Sequence, residues 1–187
     1  MSSHHIVREN QEPALIIASM DALDSEGLGQ LLEWSPTIIA NDYTVDFLLA
    51  EDIKVDVVFS EKQTIYAQEQ IQHFPLKVGF LHDALSHLIE TNHKAVNIIS
   101  DTLDEELLSF CAAINIVLLT PGRRTVFLQQ HYEKWMVKGR RIYVDERAIV
   151  TTAGLQQLDH GLFETLADGF FRLALRGNEF IAIGEDL

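Results

Sequence analysis

The stretch Thr37–Glu61, TIIANDYTVDFLLAEDIKVDVVFSE, decides the fold class. Thr37–Ala40 is a short β-branched and apolar run that reads as a strand. Val45–Ala50 fits a short helix, and Val55–Phe59 returns to strand character. Runs of this kind are strands buried on both faces, as in a parallel sheet covered by helices. Toward the N-terminus the same logic gives a strand at Ala14–Ser19 and a helix over Asp24–Trp34, weakened by Gly27 and Gly29. Toward the C-terminus it predicts a polar helix over Thr64–Gln72 and a strand over Leu76–Phe80. An amphipathic helix follows over His82–Asn92, with Leu81, Ala84, Leu85, Leu88 and Ile89 on one face. A strand at Val96–Ile99, a helix over Asp104–Ala113 and a strand at Asn115–Leu119 complete the alternation. The expected class is α/β, with an N-terminal, mostly parallel sheet and flanking helices.

The pattern changes at Pro121-Gly122. Short runs follow at Thr125–Gln129, Arg141–Val144, Ile149–Thr152, Phe170–Leu175 and Phe180–Ile183, with glycines recurring between them. Regular turn signals between short strands predict a small C-terminal all-β, sandwich-like domain. The expected division is residues 1–121 and 122–187. A domain of about 65 residues is near the lower size limit for a self-sufficient core, so it is expected to pack on the first part or on a second subunit.

Lys plus Arg number 14 against 28 Asp plus Glu, a formal charge of -14. That balance repels phosphate backbones and argues against a nucleic-acid partner. Cys111, the single cysteine, sits in an apolar run and reads as a buried small hydrophobe. No long apolar stretch follows Met1, so no secretory signal, no membrane span and a cytoplasmic location are the expectations.

In an open parallel sheet, ligands bind beyond the carboxyl ends of the strands. The residues there are Asn41 and Asp42, Ser60 and Glu61, and Ser100, Asp101 and Thr102. Asp42, Glu61 and Asp101 can converge on Mg²⁺ and a polyphosphate, since Mg²⁺ takes one or two carboxylates plus phosphate oxygens. Asp and Ser at such junctions also cap helices. Thr102-Leu103-Asp104-Glu105 fits a capping box, with Thr102 bonding forward and Glu105 reaching back. Neither the dinucleotide fingerprint nor the Walker pattern is present. Asp83, His87 and Glu90 share a helix face that reads as metal-ligating or, more simply, as the solvated side. Ser2-Ser3-His4 can chelate Cu²⁺ or Ni²⁺ through planar nitrogens if Met1 is removed. Arg123-Arg124 can hold an anion or stand exposed in a turn.

The order of elements and the Thr37–Glu61 stretch resemble the thiamine pyrophosphokinase family. That resemblance implies an α/β domain for ATP and Mg²⁺, then a β-sandwich that helps bind thiamine across a homodimer. Asp42 matches the family aspartate of an Asp-Gly-Ala motif, with Tyr43 and Thr44 in place of Gly-Ala. Glu51–Asp56 matches the approach to the next strand. The family's Gly-Asp-x-Asp-Ser turn is replaced by Phe59, Ser60, Glu61, Lys62 and Gln63, so Ser60 and Lys62 stand where two metal-binding aspartates are expected. Asp83-Ala84-Leu85 resembles the end of a second motif, which puts Gly79 and Phe80 where a Thr-Asp pair opens the helix. The Gly-Gly-Arg-x-Asp-His motif is replaced by Asp101–Glu106. Ile149–Leu155 and Phe180–Glu185 resemble strands of the family's sandwich and Lys134–Gly139 resembles the entry to it, while the family's Ser-x-Ser-Asn thiamine contact is replaced near Glu164–Asp168.

Pyrophosphoryl transfer leans on metal ions to neutralise phosphate charge. The resemblance therefore implies a homodimeric thiamine pyrophosphokinase-like protein with weak or lost transfer and a ligand-binding or regulatory role, taking a small molecule such as thiamine or a nucleotide. Asp42 is the motif carboxylate retained. The alternatives are an active enzyme using ATP and Mg²⁺ at a rearranged site of Asp42, Glu61 and Asp101, or a partner-binding structural protein.

Overall fold

The computed structural model describes residues 12–34, 36–62 and 64–187. Ser2-Ser3-His4 and Gln63 lie outside them. The chain divides into two compact units, residues 1–116 and 117–187.

The first unit is built on five parallel strands: β1 (Ala14–Ile17), β2 (Ile38–Asn41), β3 (Val57–Ser60), β4 (Gln72–Pro75) and β5 (Ala95–Ile99). Their order is β5-β1-β2-β3-β4. Every residue of β1, β2 and β3 is buried, which is why these strands read as unbroken apolar runs. Ile16 sits in register between Ile39 and Ile98 at the centre of the sheet. The chain steps outward from β1 to β4 and then returns to the other side of β1 with β5. Strand order therefore reverses between β1 and β5.

The helices are α1 (Ser25–Leu32), α2 (Val45–Ala50) and α3 (Phe80–Glu90). Asp24 caps α1 by accepting the Gly27 N–H at 2.8 Å. Helices α2 and α3 end in the same way. Asp52 and Asn92 take left-handed φ values of 55° and 64°. The next N–H groups, of Ile53 and His93, bond back to the Leu48 and Leu88 carbonyls, each at 2.9 Å. Ala84, Leu85 and Leu88 of α3 are fully buried, as its amphipathic spacing predicts.

Several expectations give way. Residues 64–71 form no helix. Of their two large aliphatic residues, Ile65 is 99% exposed and Ile71 is only partly buried, so no continuous apolar face exists to dock a helix. Gln68 instead ties the loop down, bonding both the N–H and the carbonyl of Val55. The fourth strand lies at Gln72–Pro75 rather than Leu76–Phe80, and α3 begins at Phe80. Asp83 is not on a solvated face. It is 9% exposed and its carboxylate accepts the N–H groups of Lys77 and Val78. The capping role is needed because Gly79, at the N-cap, has no side chain to supply it. Asp104–Ala113 is not an α-helix. A 3₁₀ turn spans Glu105–Ser109, and its cap is Asp104, bonded to the Glu106 N–H, rather than Thr102. Cys111 is buried there, with its thiol directed at the Leu107 carbonyl. Burial pushes the thiol pKa up to about 11. Among the described residues no helix is long and apolar enough to cross a membrane.

The second unit is antiparallel. One sheet runs β6-β7-β14-β9-β12-β11, formed by β6 (Asn115–Thr120, from Val117 onward), β7 (Arg123–Leu128), β14 (Ile181–Asp186), β9 (Arg141–Tyr143), β12 (Leu162–Thr165) and β11 (Leu155–Asp159). The other runs β10-β13-β8, from β10 (Ile149–Ala153), β13 (Gly169–Leu175) and β8 (His131–Met136). Met136, Phe171 and Leu173 of the second sheet share one core with Ile142, Phe163 and Ile183 of the first, which makes the unit a sandwich. The β11–β12 hairpin is absent from the sequence reading because Gln156, Gln157, Leu158 and Asp159 are all exposed and show no alternation. Arg123 and Arg124 are not turn residues. They open β7, opposite Asp186 and Glu185 of β14.

Candidate functional site

The carboxyl ends of β1, β2, β3 and β5 bring together the residues that sequence reasoning nominates, in two groups rather than one. The first group lies beyond β2 and β3. Asn41 ends β2 and holds the turn that follows: its Oδ1 accepts the N–H groups of Tyr43 and Thr44 at 2.9 and 3.0 Å. The Thr44 hydroxyl donates to the Ile17 carbonyl at 2.9 Å, pinning the start of α2 to the end of β1. Asp42 is left to face β3, where its Oδ2 accepts the Glu61 N–H at 3.1 Å. Ser60 closes on the backbone of its own turn. Its hydroxyl donates to the Lys62 carbonyl at 2.5 Å and accepts the Lys62 N–H at 2.9 Å. The turn is thus self-satisfied where the resemblance places metal-binding aspartates. Tyr43, in place of a family glycine, is 91% exposed at this edge.

Tyr66 belongs to the same group and is missing from the sequence-based set. Burial is the main cause that raises its phenol above the ordinary value, and the neighbouring Asp42 charge adds to it. Its ring stacks on His73 of β4, with centroids 5.2 Å apart and planes within 8°. The expectation of a polar helix over Thr64–Gln72 conceals this residue, since it treats Tyr66 as helix surface.

The second group lies beyond β1 and β5, where strand order reverses. Ser19 donates to Asp101 Oδ1 at 2.5 Å, and the same hydroxyl accepts the Asp21 N–H at 3.1 Å. Strands β5 and β2 are second neighbours in the sheet, roughly 9–10 Å apart at ordinary strand spacing. Oxygens sharing one Mg²⁺ at about 2.1 Å lie within roughly 4 Å of each other. Asp42 meets the backbone of Glu61, while Asp101 is engaged with Ser19. Among the described residues no group of three or more His, Cys, Asp or Glu side chains is arranged to hold a metal ion. Asp83, His87 and Glu90 likewise form no such group.

No protein-family model matches the chain, and no curated protein matches it by sequence. Solved structures do. The thiamine pyrophosphokinase of Bacillus subtilis aligns with a TM-score of 0.63 at 13% identity, over 92% of this chain and 97% of that one. The enzyme of that name from Geobacillus thermodenitrificans gives 0.67 at 11% identity, over 93% and 96%. Yeast thiamin pyrophosphokinase gives 0.66 at 7% identity, over 97% and 88%. Identities this low carry a likeness of architecture, and that likeness spans nearly the whole chain: the protein has the fold of the thiamine pyrophosphokinases.

Proposed function

We propose that this is a thiamine pyrophosphokinase-like protein in which ATP-dependent pyrophosphoryl transfer to thiamine is weak or lost, and in which binding of a small molecule, thiamine or a nucleotide, is the retained role. One observation carries the reading. The Ser60 hydroxyl is closed onto the Lys62 backbone beside an Asp42 already engaged with the Glu61 N–H. A transfer site needs donors free to neutralise phosphate charge as it moves, and Lys62 in such a turn opposes a cation. Exposed Trp135 and Phe170, paired across β8 and β13, support a second copy of the chain as partner.

The test is an ATP-to-thiamine transfer assay with Mg²⁺ on the full chain, run beside thermal unfolding with thiamine, thiamine diphosphate, ATP and ADP. The expected result is no turnover above background, with at least one of these ligands stabilising the protein. At about 100 times Kd the gain is about 2.7 kcal/mol, a rise of several degrees in Tm for a chain of this length. Turnover that collapses in Asp42→Asn would overturn the reading in favour of an active enzyme. No shift with any of the four would favour a partner-binding structural protein.

A further inference from the structure

The formal charge of -14 is not shared between the two units. Residues 117–187 carry nine basic and nine acidic side chains, while residues 1–116 carry five and 19. Within that acidic first unit, helices α1 and α2 flank an apolar furrow. A cavity of about 240 Å³ is lined by Leu23, Leu28, Leu32, Phe47 and Ile53. A second, of about 320 Å³, shares Leu32 and Ile53 and continues the furrow past the end of α1. Carboxylates border both: Asp24 and Glu51 the first, Asp52 and Asp56 the second. Among the described residues that line it, Lys54 is the one cation, and it is paired with Asp56. Asp42, Glu61 and Asp101 lie outside this lining.

The fold keeps this furrow open against its own stability. Phe47 is 47% exposed on its wall. Gly29 lies inside α1 and lines the first cavity, although glycine is the weakest helix former after proline. A Cβ at Gly29 would meet nothing within 4 Å, so packing within the chain does not require the glycine. A missing side chain at such a place lets another backbone approach closely. The acidic border then selects the occupant. It repels nucleic acid and anionic lipid. A second copy presenting the same furrow would set like charges against each other. One presenting its neutral second unit would make a head-to-tail contact, without the two-fold closure of most dimers. A cationic partner is the one the field draws in.

We propose that the α1–α2 furrow docks a short, basic amphipathic segment of a partner protein. Its apolar side chains seat on Leu28, Leu32 and Phe47, and its Lys or Arg residues face Asp24, Glu51 and Asp52. The apolar floor supplies affinity, and the carboxylates set the sign of the partner's charge and the rate of encounter. The furrow is separate from the Asp42–Glu61 turn, so docking does not depend on whether transfer activity survives.

The experiment titrates the full ¹⁵N-labelled chain with a synthetic Leu/Lys peptide, amphipathic as a helix of about four turns, and with a Ser/Lys peptide of the same charge. Backbone amide resonances of α1 and α2 are expected to move saturably with the Leu/Lys peptide, while those of the second unit stay fixed. The Ser/Lys peptide is expected to bind at least about tenfold more weakly. Phe47→Ala and Glu51→Lys are each expected to weaken the Leu/Lys peptide about tenfold. Glu179→Lys makes the same change of net charge on an exposed loop of the second unit and should leave affinity unchanged. Gly29→Gln should raise the urea midpoint, since it replaces a helical glycine, yet weaken the peptide about tenfold by filling the furrow. That pairing separates a blocked furrow from a damaged fold. Resonances of α1 and α2 that stay fixed at millimolar Leu/Lys peptide would overturn the proposal. So would a Ser/Lys peptide that binds as tightly, a Glu179→Lys loss equal to that of Glu51→Lys, or unchanged affinity in Gly29→Gln.

Discussion

The Ser19 hydroxyl donates to Asp101 Oδ1 at 2.5 Å, joining the ends of β1 and β5 at the point where strand order reverses. In this sheet class that crevice is where a ligand is held, yet here its two polar side chains hold each other. Ser19 also accepts the Asp21 N–H, so one hydroxyl organises the turn after β1. Ser19→Ala should lower stability by roughly 1 kcal/mol, the ordinary worth of such a bond near solvent. Asp101→Asn should cost somewhat less, because the amide oxygen still accepts. Urea denaturation of the two single variants and the double variant checks this. A coupling of at least about 0.5 kcal/mol is expected, and strict additivity would show that the contact contributes nothing.

Asp83 gives a pH-dependent prediction. Burial works to raise its carboxyl, but hydrogen bonding, from the N–H groups of Lys77 and Val78 first and then from His82 and the Gly79 backbone, more than offsets that, so its pKa lies below the ordinary value. A carboxylate depressed in the folded state stabilises above its unfolded pKa, and the contribution is lost as pH falls through the folded value. Asp83→Asn should therefore cost about 1–2 kcal/mol at neutral pH. The gap to wild type should persist down to about pH 5 and close as pH falls further through the carboxylate range. Stability curves of both proteins from neutral pH to acid would show the convergence, and a gap independent of pH would refute it.

The legibility of the fold tracks burial. β1, β2, β3 and β5 are readable because each is an apolar run with no exposed face to confuse the period. β4 is not, because Gln72 and His73 are exposed at the sheet edge and Leu76 to Phe80 look more strand-like than the strand itself. Asp83 reads as surface by helical spacing, since spacing cannot reveal that Gly79 leaves the helix uncapped and turns that carboxylate back on the loop. Asp42, Glu61 and Asp101 are each found by position after a strand. Their separation into two groups follows from the return of β5 beside β1, and that step is not written in any local pattern.

Gly154 joins β10 to β11 with φ of +75°, a conformation costly for any residue with a side chain. A Cβ there would stand 3.1 Å from the Phe170 carbonyl oxygen and 3.2 Å from the Phe171 Cα, both backbone atoms with little room to move. Gly154→Ala should destabilise by about 2–3 kcal/mol, combining the left-handed penalty with overpacking. The measurement is the urea midpoint at unchanged m-value. Gly139→Ala, at φ of +82° but with open space around it, is the control and should cost only the conformational part, about 1–2 kcal/mol.

Glu185 of β14 is a buried carboxylate held from three directions. The Tyr132 hydroxyl donates to its Oε1 at 2.5 Å, Lys134 pairs with Oε2, and Arg124 stands 3.8 Å away. Burial, and then the bond to Glu185, raise the Tyr132 phenol well above its ordinary value. An acid raised in the folded state stabilises fully below its unfolded pKa, and that stability is lost as pH rises from there toward the folded value. Wild type should therefore lose stability as pH climbs through about 10, where the unfolded phenol ionises. Tyr132→Phe should lose less over the same interval, even though at pH 7 it is the weaker protein by roughly 1–2 kcal/mol for the missing charge-assisted bond. Denaturant titrations at pH 7, 9 and about 11 separate the two effects. Parallel alkaline slopes in the two proteins would mean that Tyr132 ionises freely and that its hydrogen bond to Glu185 does not hold in solution.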